Sequence, residues 1–343
     1  MAIHVHPRLK KTFLIMKTTL PVRRLTLLAL ASVALALTGF SEPVRVLTYN
    51  LLGSRPSTEK NAKCEPWVKR KPLVLEIMRD RTGGAGYDFI GTQETSTNPD
   101  PVLDQVNQLA VEMEKSGYGS LYAACNGEPN TLKPKELSMS NMFFWRKDRW
   151  EIDPNDSGTF WLSDTPEIPG SNTWSPIDPK TGKSTNKGAR RNVSYGLFHE
   201  IANGKRTGKK VYFYNTHLNV HVPEARMKSA ILIMDRIKNR KDKSAPIVLT
   251  GDFNSLRNDS RGDGYVYKYL TGFPIKFEDA THTPPQALAE AFEEAGPKDK
   301  LPRIDFIFSS KGLKATSAAN VNIRRNGIRP SDHAPIAAVL DWE

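Results

Sequence analysis

Cysteine is almost absent from this chain. Cys64 and Cys125 are its only two in 343 residues, too few for a zinc site built on thiolates. In an oxidising compartment they could pair with each other; otherwise they stand as two inert thiols. No stretch rich in Pro, Gly or Ser divides the chain, and no segment repeats. One domain over residues 42–343 is therefore the simplest account. Beyond residue 41 no apolar run is long enough to span a bilayer. Acidic residues are missing from one place: residues 1–41 hold Arg8, Lys10, Lys11, Lys17, Arg23 and Arg24 and no Asp or Glu.

That acid-free segment has its own logic. Arg23 and Arg24 precede the apolar run LTLLALASVALALTGF, residues 25–40. A basic start, a short apolar core and small residues before a polar continuation predict a signal peptide over 1–41, cleaved between about Ala36 and Ser41. The run is short for a membrane anchor. No cysteine follows it, which argues against a lipoprotein. Only the arginines of a twin-arginine signal are present, and Met16 offers a second start. The expected location is outside the cytoplasm, periplasmic or extracellular. Removing the six basic residues of the leader from the net charge of +12 leaves +6. A mildly basic mature protein is compatible with a polyanionic partner without requiring one.

What the chain does have is apolar runs that carry or end in polar groups. VRVLTYN covers Val44–Asn50, YDFIGTQE Tyr87–Glu94, KVYFYNTHLN Lys210–Asn219 and APIVLTGDFN Ala245–Asn254. RIDFIF covers Arg303–Phe308 and SDHAPIAAVLDW Ser331–Trp342. Their β-branched and aromatic content predicts strands, apolar nearly throughout because both faces are covered. Helical patterns lie between them. One starts at Asp100-Pro101 and continues through Val106, Leu109, Ala110 and Met113 to Gly117. Another starts at Pro223 with Met227, Ala230, Ile231, Met234 and Ile237. A third is expected over about Pro72 to Asp80.

Asn50, Glu94, His217, Asp252, Asn254, Asp305, Asp332 and His333 lie within or at the ends of these runs. One such strand end is a turn; several of one chemistry predict a shared cluster, because buried charge is costly unless paired or bound to metal. Asp252 and Asn254, two apart, would share a face of a strand. Asn, Glu, Asp and His without Cys favour a hard cation, Mg²⁺ before Mn²⁺. Such an ion serves phosphate chemistry, while side chains hold a water in line.

The motifs LTYN, GTQE, NTHL, TGDFN, RIDFIF and SDH resemble, in order, those of the endonuclease/exonuclease/phosphatase family, with matches from residue 45 to 333. The resemblance implies an α/β (α+β) four-layer sandwich of the DNase I-like type, two packed β-sheets flanked by helices. It implies that Asn50 and Glu94 are metal-site residues, with Glu94 the direct ligand and Asp332 near the ion. It implies that His217 and His333 contact the scissile phosphate, Asp252 activates the attacking water with Asn254 as partner, and Asp305 pairs with His333.

A basic stretch with Lys180, Lys183, Lys187, Arg190 and Arg191 follows FWLSDTPEIPGS. It reads either as a solvated loop or as a phosphate-contacting one, with Lys183, Lys187, Arg190 and Arg191 as substrate-binding candidates. The expected activity is that of a secreted monomeric phosphodiester hydrolase, a nuclease first. The alternative is a phosphatase or a lipid-directed phosphodiesterase of inositol polyphosphate or sphingomyelin type. No motif is missing, which argues against a binding protein that has lost catalysis.

Overall fold

The computed structural model describes residues 41–55, 64–80, 86–175, 180–181, 190–257, 265–278, 280–297, 303–321 and 324–343. The segment expected to be a signal peptide lies outside them, apart from Ser41. The elements run β1 (Val44–Asn50), α1 (Trp67–Met78), β2 (Phe89–Gln93), β3 (Thr95–Thr97), α2 (Gln105–Glu114), β4 (Tyr118–Leu121), β5 (Ser138–Ser140), β6 (Phe143–Arg146), β7 (Trp150–Trp161), β8 (Asn192–Ala202), β9 (Lys205–His217), α3 (Pro223–Lys238), β10 (Ile247–Asp252), α4 (Tyr265–Leu270), β11 (Ile275–Phe277), β12 (Ala280–His282), β13 (Ala289–Glu290), α5 (Ala291–Ala295), β14 (Asp305–Ser309), β15 (Leu313–Asn320) and β16 (Ile336–Trp342).

Two six-stranded sheets dominate, ordered β15-β16-β1-β2-β6-β4 and β13-β14-β10-β9-β8-β7. In each, one central pair is parallel (β1 with β2, β10 with β9) and the other pairings are antiparallel. Alternation of side chains along each strand creates three apolar layers. Val46, Phe89, Phe143, Phe198, Phe213, Val248 and Ile307 pack between the sheets. Leu47, Tyr49 and Ile90 face α1 and α2. Tyr212, Tyr214, Leu249, Phe306 and Phe308 share a cluster with residues of α3 and α4. This is the expected four-layer sandwich.

The helices depart from expectation in detail. The first begins at Trp67, well before Pro72, and ends at Met78. Pro72 removes the bond its nitrogen would give to the Val68 carbonyl. The second helix is capped by Asp104, not Asp100: the Asp104 carboxylate accepts from Asn107 N at 3.4 Å, and Asp100 instead closes a turn of its own by accepting from Val102 N at 2.9 Å. In α3 the buried stripe includes Ile233, while Ile231 is only partly covered. Cys64 and Cys125 are both buried and both free.

Candidate active site

The site grows out of strand register. On β10, Asp252 lies opposite Asp305 of β14 on one side and His217 of β9 on the other. Residues opposite one another on neighbouring strands share a face. These three therefore form a row at one end of the inter-sheet layer. One step deeper the layer is polar but neutral. Asn215 donates to the carbonyls of Thr92 and Met142 at 2.8 and 2.9 Å and accepts from Gln93 Nε2 at 2.7 Å and Thr250 Oγ1 at 3.0 Å. Gly91 permits this approach, since a Cβ there would lie 2.3 Å from Thr250 Oγ1 and 2.5 Å from Asn215 Oδ1. Amides are far cheaper to bury than charges, and Asn215 is satisfied on every side, so this layer separates the aromatic core from the acids.

Asp252 is almost fully buried, and its Oδ2 accepts from Asn50 Nδ2 at 3.0 Å across the gap between sheets. Burial, and then the neighbouring Asp305 carboxylate, push its carboxyl up to about 7. Asp305 Oδ2 pairs with His333 Nδ1 at 2.7 Å, leaving His333 Nε2 at 3.9 Å from Asp252 Oδ2. Burial opposes a charged imidazole at His333, but Asp305, its hydrogen bond and Asp252 outweigh it and raise the ring to about 10. His333 is thus an imidazolium at neutral pH. His217 is the opposite: burial, then Arg191, hold it well below the ordinary histidine value. Asn254 Nδ2, which also donates to the Leu218 carbonyl at 3.1 Å, lies 2.9 Å from His217 Nε2. That amide N–H makes Nε2 an acceptor and puts the ring proton on Nδ1.

Asn254 does not share a strand face with Asp252. The strand ends at Asp252, and Asn254 sits in the left-handed region at φ 47°. Its N–H closes a turn onto Asp252 Oδ1 at 2.9 Å. The turn, not strand alternation, brings its amide to His217.

The second sheet supplies the other edge. Asn50 lies opposite Gln93 in the β1–β2 pair, and Glu94 follows one residue later, left-handed at φ 58°. Glu94 Oε2 meets Arg55 Nη2 at 3.0 Å and Gly53 N at 3.3 Å. The Asn50 loop is tied down by the buried Arg70, whose guanidinium donates to the carbonyls of Leu51, Leu52 and Pro330 at 2.7, 2.9 and 2.7 Å. Ser331 Oγ donates to Asn50 O at 2.6 Å and accepts from His333 N at 3.2 Å, which joins the His333 loop to β1. Neither Arg55 nor Arg70 stands out in the sequence.

The donor set suits a hard divalent cation. It offers the oxygens of Asn50 and Glu94 and the carboxylates of Asp252 and Asp305, which cluster with the cationic His333 ring within 4.8 Å of one another. The Asp305 Oδ1 atom is buried without a hydrogen-bond partner, an anionic oxygen that a cation or water would satisfy. Asp332 does not join either group: its side chain is exposed and takes a 3.4 Å contact from Ser331 Oγ.

The basic stretch is divided. Lys183 and Lys187 lie outside the described residues. Arg190 is exposed and donates to Asn172 Oδ1 at 3.3 Å. Arg191 is turned inward: it is 5% exposed and its Nε donates to the Leu218 carbonyl at 3.2 Å. Beside Glu94 lies a cavity of about 710 Å³ whose lining includes Arg55, Asn126, Ser138, Asn172, Arg190 and Arg191.

A sequence profile described as "Endonuclease/Exonuclease/phosphatase family" matches residues 47–333. No curated protein matches the sequence. Among solved structures, an endonuclease/exonuclease/phosphatase from Bacteroides vulgatus is 24% identical with a TM-score of 0.64, covering 88% of this chain and 100% of its own. Bacteroides thetaiotaomicron mannosyl-6-phosphatase is 22% identical with a TM-score of 0.63, over 87% and 100%. The human Nocturnin catalytic domain with bound sulfate is 16% identical with a TM-score of 0.57, over 89% and 97%. These likenesses establish the shared fold.

Proposed function

This chain belongs to the endonuclease/exonuclease/phosphatase family of phosphoester hydrolases, generally dependent on divalent metal, and from that premise we propose that it hydrolyses the phosphate ester of a small polar alcohol with the aid of Mg²⁺ or Mn²⁺. The observation that carries this reading is the row Asp305–Asp252–His217, faced by Asn50 and His333. Asp252, with a carboxyl raised toward neutrality, takes a proton from the attacking water. Burial and Arg191 keep His217 neutral and Asn254 fixes its tautomer, so His217 Nδ1–H is a donor to a phosphoryl oxygen. His333, kept cationic by Asp305, stabilises charge on the phosphoryl group and protonates the leaving oxygen as the P–O bond breaks. Asn50 and Glu94 would hold the metal, which supplies Lewis-acid stabilisation of the phosphoryl oxygens.

The size of the substrate is read from the cavity beside Glu94. Its volume of about 710 Å³ falls in the range of small-molecule pockets. Its amide, hydroxyl and guanidinium groups, set beside the apolar Leu137, Met139 and Val220, suit an anionic, hydroxyl-bearing compound such as a sugar phosphate, the class named for the Bacteroides thetaiotaomicron phosphatase. The nuclease reading is supported by exposed Arg190 in the lining of this cavity. Buried Arg191 cannot follow a nucleic-acid backbone in either case. Export, as a monomer, rests on the leader sequence and composition and belongs to the same proposal.

The test is a panel of a hexose 6-phosphate, bis(p-nitrophenyl) phosphate and a single-stranded oligonucleotide, each with Mg²⁺ and with EDTA. Metal-dependent phosphate release, fastest from the hexose phosphate, is expected. Preferential cleavage of the oligonucleotide would shift the assignment to a nuclease. Hydrolysis of none of the three, or hydrolysis unaffected by EDTA, would refute the mechanism.

A further inference from the structure

We propose that Gln105 is a positioning residue that holds the Asn50 and Glu94 loops in register and so sets the affinity of the site for its divalent cation. The inference rests on the placement of that cation at Asn50 and Glu94. Gln105 is the first residue of α2 and is fully buried. Its Oε1 accepts from Ser54 N at 3.2 Å and from Ser96 N at 2.9 Å, and its Nε2 donates to the Leu52 carbonyl at 3.3 Å. One side chain thus ties the loop that follows Asn50 to the segment that follows Glu94. Both lone pairs of its carbonyl are used for this.

Those two segments have reason to need tying. The strands end at Asn50 and Gln93, and the chain leaves each through a left-handed, non-glycine residue, Leu52 at φ 57° and Glu94 at φ 58°. Such conformations persist only where the surroundings impose them. The loops cross at Gly53. A Cβ there would come within 2.7 Å of Ser96 Oγ and 2.9 Å of Glu94 O, so they pack backbone against backbone. Gly53 N also donates to Glu94 Oε2 at 3.3 Å, which couples the crossing to the carboxylate itself. Asn98 Nδ2 adds a longer tie to Ser54 O at 3.4 Å. A neutral amide suits this place, because it satisfies two backbone donors and one carbonyl without adding a charge beside Glu94.

Gln105 does not touch the reacting groups, so its effect must appear in metal affinity. Mn²⁺ binding is measured by calorimetry for wild type, Gln105→Met, Gln105→Glu and Glu94→Gln, alongside thermal melts, kcat and KM. Gln105→Met keeps the volume and loses all three bonds. It is expected to weaken Mn²⁺ binding by roughly ten- to a hundredfold, the range for groups that orient metal ligands, while the melt stays cooperative and KM at saturating Mn²⁺ is little changed. Gln105→Glu keeps both accepted bonds but loses the donor to the Leu52 carbonyl and adds a buried charge, so it should recover only part of the affinity. If Gln105→Met does not fold, Gln105→Asn, one methylene too short to bridge both loops, replaces it with the same expected loss. Unaltered Mn²⁺ binding in the Gln105 variants beside weakened binding in Glu94→Gln overturns the proposal alone. Unaltered binding in Glu94→Gln overturns the placement of the cation, and the proposal with it.

Discussion

The layer between the two sheets has two ends built from the same strands and the same faces, yet they do opposite things. Along β9 the inward residues read Val211, Phe213, Asn215, His217; along β10, Val248, Thr250, Asp252; along β2, Phe89, Gly91, Gln93. At the apolar end Phe89 stacks on Phe213 at 5.1 Å and meets Phe198 at 4.9 Å and Trp150 at 5.0 Å. Four residues beyond Phe213 on β9, His217 Nε2 lies 3.5 Å from Asp252 Oδ2 of β10, and His333 Nε2 lies 3.9 Å from the same oxygen. The difference teaches where stability and chemistry reside. The aromatic end gains from burial, about 1.5–3 kcal/mol for each large side chain. The polar end raises the carboxyl of Asp252 because the fold disfavours its charge, and a neutral amide layer stands between the two.

That contrast can be broken first at its chemical end. Asp252→Asn should lower turnover by roughly a hundredfold or more, the usual contribution of a positioned base. Because the fold opposes ionisation of Asp252, the same substitution should leave the melting temperature unchanged or higher at pH 8 without metal. A large loss of stability with activity retained would invert the comparison. At the other end, Phe213→Ala should cost about 3–5 kcal/mol in denaturant unfolding, the range for truncating a buried aromatic. The measurement is the shift of the unfolding midpoint, and a shift close to zero would remove Phe213 from the core.

A smaller effect concerns pH. His333 has a raised folded pKa, so the stability it contributes is complete below the ordinary histidine value and is lost as pH rises through about 10. Asp252, also raised, loses its contribution earlier, between the ordinary carboxylate range and about 7. The melting temperature of metal-free protein should therefore fall from pH 7 to 10, and His333→Gln should flatten that part of the curve. An unchanged slope in the variant would place the titration elsewhere. The smallest effect is expected at Arg190. Arg190→Ala should raise KM for an anionic sugar phosphate by a few-fold, as for loss of one exposed charged contact, and leave kcat alone. If instead it flattens the salt dependence of oligonucleotide binding, the nuclease reading gains.

Much of this was legible in the sequence because the polar end of the layer interrupts strands that are otherwise apolar. Asn50, His217, Asp252 and Asp305 are conspicuous among Val, Ile, Phe and Tyr, and strand register then brings them together. What was not legible depends on backbone reversal or on distance along the chain. Asn254 reaches His217 through a left-handed turn that strand alternation does not describe. Asp332 precedes His333, and adjacent residues here point different ways: His333 faces the row and Asp332 the solvent. Arg191 belongs to a basic stretch, but it abuts β8 and is drawn inward onto the Leu218 carbonyl. Gln105 and Arg70 act on loops far from them in sequence. Nothing local marks a helical Gln or Arg as a clamp rather than an ordinary surface residue.

The central claim is that the row Asp305–Asp252–His217 directs water at phosphorus. Hydrolysis in oxygen-18-enriched water, on whichever of the three esters turns over fastest, tests this most directly. The account predicts that the new label appears on the phosphoryl product and not on the released alcohol, and that Asp252→Asn forms almost none of it. Label in the alcohol, or undiminished labelling of the phosphoryl product by a folded Asp252→Asn variant, would contradict it.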